Sequence, residues 1–169
     1  MEPGEALSTA AQIAVALAGF AGVVVAFRSR SLHEWSPLDR YRLWLLLGSA
    51  LLPLFTCLFG MLLLTIKPAP LSIWRWGSGF WLLMVVPFSF LTRRRLRELG
   101  PAAIKDLGTY RYLFFTVGGA GTTVGLLQVY NVLVPGVFWL FYSAIVFQVA
   151  IGTLQFARMI LLPPHPGAP

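Results

Sequence analysis

Few side chains in this chain are able to do chemistry. Its 169 residues include six Asp/Glu, two His and one Cys. His33 and Glu34 are adjacent, which is not metal-ligand spacing, and His165 is alone in a Pro-rich tail. Both histidines read as solvated. Glu34 and Glu98, with Asp39 and Asp106, lie among arginines and read as their neutralising partners. Cys57 lies in an apolar run and has no second cysteine to pair with, so it reads as a small buried hydrophobe. No Ser/His or Asp pair lies inside an apolar run, as intramembrane proteolysis would require. These residues predict no catalysis, no cofactor and no metal.

The remaining polar chemistry is uncharged. Thr116, Thr123, Gln128, Gln148 and Gln155 lie in one stretch that runs from Arg111 to Arg158 without a charge. An unpaired amide in hydrocarbon is costly, so such groups either hydrogen-bond between helices or line a wet cleft. Proton relays, voltage sensors and coupled pumps generally use ionisable groups inside the membrane. The apolar runs contain none.

The elements that must position these groups follow from composition. Hydrophobic residues make up 57% of the chain and charged residues 11%. A soluble domain carries about 25% charged residues, because its surface faces water. The class is therefore all-α, a polytopic membrane helix bundle forming a single transmembrane domain over residues 1–169. The apolar runs place spans at residues 7–27, 43–66, 73–92, 112–133 and 137–160. The last two follow from length. The 46 uncharged residues after Arg111 would make one helix about 69 Å long, against a hydrocarbon core of about 30 Å. They must fold back, and Pro135-Gly136 marks the turn.

Local signals refine this. Ser36-Pro37-Leu38-Asp39 combines a capping serine, a first-turn proline and an acid at the positive dipole end, so it predicts a helix start. Thr9 and Gln12 have capping-box spacing at the start of the first span. Pro53 and Pro87 fall inside spans and predict kinks. The third helix should continue through Arg93, Arg94, Arg95 and Arg97 and stop at Gly100-Pro101.

Loop charge predicts orientation. The first loop, third loop and tail hold four, six and one Lys/Arg, while the second loop holds two and the hairpin none. By the positive-inside rule the N-terminus is outside and the C-terminus inside. Tyr41, Trp44, Tyr110 and Tyr112 then fall at the inner boundary, and Trp74, Trp76, Tyr130 and Trp139 at the outer. The first span is the weakest; if it dips in without crossing, four spanning helices keep this orientation. No basic n-region precedes it, so cleavage as a signal peptide is not expected. Arginine outnumbers lysine 11 to 2 among abundant Ala, Gly, Pro and Leu, a usage that suits a GC-rich bacterial genome and an inner membrane.

Helix-packing faces are also legible. Ala10, Ala14, Ala18, Gly22 and Ala26 recur every four residues in the first span. In lipid, helices associate where small residues let backbones approach. Antiparallel neighbours about a turn at Pro135 pair Thr116 with Gln155, Gly119 with Gly152, Thr123 with Gln148, Leu127 with Ala144 and Tyr130 with Phe141. Hydrogen bonds across this hairpin would add about 0.6 kcal/mol each and mainly fix register. Gly118, Gly121, Gly125 and Gln128 form the other face of the fourth span, small enough to receive a second helix, for which the first span is the natural candidate.

Partners follow from the same features. The net charge of +7 lies in short loops, so it points to anionic lipid headgroups at the cytoplasmic face and not to nucleic acid. The arginine collar is the strongest such point, and it also sets topology. The expected function is a structural or interaction subunit that assembles with itself or another membrane protein. The alternative is a small oligomeric passive channel lined by uncharged polar residues.

Overall fold

The computed structural model describes residues 2–27, 36–66, 72–100 and 110–161, with side chains of residues 27, 110–115 and 161 left aside. Among these the chain is all-helical, with five long helices and no strand. They are α1 (Pro3–Phe27), α2 (Pro37–Leu64), α3 (Ile73–Glu98), α4 (Tyr110–Leu133) and α5 (Phe138–Leu161). Over the described residues three of them, α1, α2 and α5, are long and apolar enough to cross a membrane. The arginines make α3 the least apolar of the five.

The helix ends show which local signals acted. The Ser36 hydroxyl accepts from the Asp39 N–H at 3.1 Å, and α2 starts at Pro37, where the Ser36-Pro37-Leu38-Asp39 signal placed a helix start, six residues before the apolar span at Leu43. At α1 the signal misleads. The helix already begins at Pro3, and Thr9 sits in its interior, where its hydroxyl donates to the Glu5 carbonyl. The third helix does run through the collar to Glu98, and Gly100 follows in a left-handed conformation with φ 80°.

Successive helices alternate in direction, and two apolar clusters fix the ends of the bundle. At one end Leu7, Ala10 and Ala11 of α1 meet Cys57 of α2 and Phe141 and Ile145 of α5. Phe141 is fully buried and packs on Trp74 of α3 at 5.5 Å. A Cβ at Gly60 or Gly77 would come within 3.2 Å or 2.9 Å of its ring, so the absence of side chains on α2 and α3 makes the hole this ring fills. At the other end Ala21 of α1 meets Leu46 of α2 and Met159 of α5. Thus α1 lies along α2 and α5 over its length, and the helix it packs against is not α4.

Candidate functional site

The densest buried polar chemistry sits where α3, α4 and α5 meet beside the hairpin turn. Ser78, Gln128 and Asn131 are all fully buried. The Asn131 amide donates to the Ser78 hydroxyl at 2.8 Å, and that hydroxyl donates to Gln128 Oε1 at 2.8 Å. Gln128 Nε2 donates onward to the Leu140 carbonyl at 2.7 Å. Asn131 closes the turn itself: its Oδ1 accepts from the Val137 N–H at 2.8 Å and its Nδ2 donates to the Val137 carbonyl at 3.1 Å. Its backbone carbonyl accepts from Gly136, whose φ is 63°. Arg75 of α3 donates to the Val134 carbonyl and lies over Gly136, where a Cβ would come within 2.8 Å of its side chain. The network holds no carboxylate or imidazole, and its amides are engaged. It joins three helices and offers no acid, base or nucleophile pair.

This network sets a hairpin register that differs from the expected one. Gln128 lies opposite Leu140, Asn131 opposite Val137, and Gly121 beside the Phe147 ring. The pairing is displaced by about one helical turn from the sequence expectation. The cause is the turn: Asn131 caps Val137, which centres the reversal on Val134 rather than Pro135. The five expected pairs fall out of this register, and Gly119 has no neighbour that would make it a partner of Gly152. Thr123 is exposed, and its hydroxyl donates to the Gly119 carbonyl of its own helix. Gln155 accepts from Arg158, and Thr116 is exposed. Leu127 and Tyr130 face outward, while Ala144 and Phe141 are buried. Gln148 is buried on the α5 face that also holds Ile145 and Gly152, the face turned to α1 and α2.

Gly152 has its own reason to be small. A Cβ there would come within 3.3 Å of the Ser49 carbonyl oxygen of α2 and 3.2 Å of Leu17. Pro53 lacks the N–H that would bind this carbonyl, since Ser49 lies four residues earlier. The freed carbonyl thus lies against the one residue of α5 whose backbone can come that close. Gly119, expected opposite Gly152, has open space beside it.

The stripe of α1 divides in the same way. Ala14 is buried, Ala18 half-buried and Gly22 exposed with nothing beside it. Ala10 of the stripe is buried as well, and beyond Ala14 the buried positions are Leu17 and Ala21 in place of Ala18 and Gly22. A four-residue repeat advances 40° beyond a full turn, so a straight stripe winds off the contact face within a few turns. On α4, Gly121 and Gly125 are half-buried on the side of Gln128, and the helix received by that side is α3, together with α5.

The outer face of α4 is left uncovered. Thr116, Gly119, Thr122 and Thr123 are exposed there, and Leu126, Tyr130 and Leu133 continue the face towards the turn. At the far end of the bundle Arg95 lies 4.0 Å above the Trp44 ring, and Trp44 stacks on Phe88, whose ring fills the space beside Gly48. Arg94 pairs with Glu98 at 3.1 Å. Arg93 and Arg97 are exposed. Asp39, buried, pairs with Arg42 at 3.3 Å. Among the described residues no three His, Cys, Asp or Glu side chains group as metal ligands. His33, Glu34, Asp106 and His165 lie outside the described residues.

No protein-family model matches the chain, and neither a curated protein nor a solved structure matches it.

Proposed function

We propose that the protein is a five-span inner-membrane subunit of bacterial origin, with its N-terminus outside and its C-terminus in the cytoplasm. It works without catalysis, by assembling through small-residue helix faces. One observation carries this reading: α4 lies at the edge of the bundle, yet half of its outer face is Thr116, Gly119, Thr122 and Thr123 rather than large apolar residues. Such a face gives lipid chains little to pack against, whereas another helix can approach it closely. The exposed Gly19 and Gly22 of α1 offer a second face of this kind. The loop-charge asymmetry supports the orientation, and the exposed Trp76, Tyr130 and Trp139 suit a membrane boundary at the hairpin end, since aromatic residues favour the interface.

The channel alternative has less support. The Thr122 and Thr123 hydroxyls donate to carbonyls of their own helix, and Gln148 is enclosed in the bundle. Energy transfer between labelled copies in lipid vesicles tests the assembly. Wild type should associate, and Gly119→Leu should weaken association while leaving helix content unchanged. Absence of transfer at every protein-to-lipid ratio would overturn self-assembly. Planar bilayers test the rival: unitary currents that depend on Gln148 would make the passive channel the better reading.

A further inference from the structure

The exposed face of α3 changes character along its length. Leu83, Val86 and Phe90 are each at least 60% exposed, and they share one helical face with Arg93, Arg94 and Arg97. At the junction is an open surface depression lined by Phe90, Arg93, Arg94, Arg97 and Glu98. The four collar arginines do not act alike there. Arg95 is drawn aside onto the Trp44 ring, and Arg94 neutralises Glu98. Arg93 and Arg97, one turn apart, keep their charges without an ion-pair partner among the described residues. The last-turn arginines also oppose the negative end of the helix dipole, which would otherwise repel an anion.

We propose that this face is a binding site for one anionic phospholipid, its phosphate held between Arg93 and Arg97 and an acyl chain lying along Phe90, Val86 and Leu83. The chemistry is a guanidinium pair for phosphate oxygens, set above an apolar track. The site is separate from the small-residue faces of α1 and α4, so its failure would leave the assembly reading standing.

The test is native mass spectrometry of the full chain in detergent, titrated with phosphatidylglycerol or phosphatidylcholine. One phosphatidylglycerol per chain should bind in preference. A basic residue near an anionic surface contributes about 1 kcal/mol, so Arg93→Gln with Arg97→Gln should weaken that binding roughly thirty-fold. Arg93→Lys with Arg97→Lys should retain most of it. Arg40→Gln with Lys67→Gln removes the same charge elsewhere and should have little effect. Equal weakening by that control would show diffuse attraction and overturn the site. Displacement of the lipid by glycerol phosphate would overturn the role of the apolar track. Binding unchanged in the Gln pair, with helix content intact, would overturn the proposal outright.

Discussion

Asn131 and Thr123 are both polar residues of α4, and the structure gives them opposite roles. The Asn131 side chain satisfies both backbone groups of Val137 and reaches Ser78 on another helix. Leucine in its place would leave the part-buried Val137 N–H without its partner and take from the buried Ser78 hydroxyl the donor it accepts from, at up to about 1–3 kcal/mol for an unsatisfied group. Thr123 bonds only to its own turn and is exposed. Asn131→Leu is therefore expected to lower the thermal transition of the detergent-solubilised protein, while Thr123→Val should stay within about 0.5 kcal/mol of wild type. Equal effects would mean that the Ser78–Gln128–Asn131 network does not hold the three helices together.

At the scale of the element, α1 shows why spacing alone misplaces a face. Its contact side follows Ala10, Ala14, Leu17 and Ala21, while Gly22 points away from the bundle. Leucine at a fully enclosed position must displace its neighbours, which costs about 1–3 kcal/mol. Ala21→Leu should thus destabilise the folded chain, because Leu46 and Met159 already fill the surrounding space. Gly22→Leu has open space and should leave the thermal transition nearly unchanged. A larger loss from Gly22→Leu than from Ala21→Leu would place the α1 contact face on the other side. The hairpin of α4 and α5 follows the same logic, since its register is set by the capping of Val137 and not by the position of Pro135.

For the whole molecule the leading question is how the bundle sits in the membrane. Eleven Lys/Arg on one set of loops against two on the other predict an external N-terminus and an internal C-terminus. The alternation of the five helices is compatible with that pattern, and α1 runs beside α2 and α5 for its length. In a Cys57→Ser background, Glu2→Cys should react with a membrane-impermeant thiol reagent on intact cells, and His165→Cys should not. Labelling at 165 alone would reverse the orientation. Labelling at neither position would mean that α1 enters without crossing.

Composition and charge spacing were sufficient for the class and its helices. A chain this apolar must satisfy its backbone within helices, and 46 uncharged residues cannot remain one span. Ser36-Pro37 and the Pro135-Gly136 region were legible because caps and turns are local chemistry. Which faces meet is not local. It depends on side chains from other helices: Phe141 filling the hole left by Gly60 and Gly77, Gly152 admitting the Ser49 carbonyl freed by Pro53, and Ser78 reaching Gln128 and Asn131. Gln128 stood out in the sequence as a polar group needing a partner, but Ser78, fifty residues away, carried no signal that it was that partner. An apolar run marks that a helix is present, yet a small drift per turn rotates its far end onto a different neighbour, and only tertiary packing decides which neighbour that is.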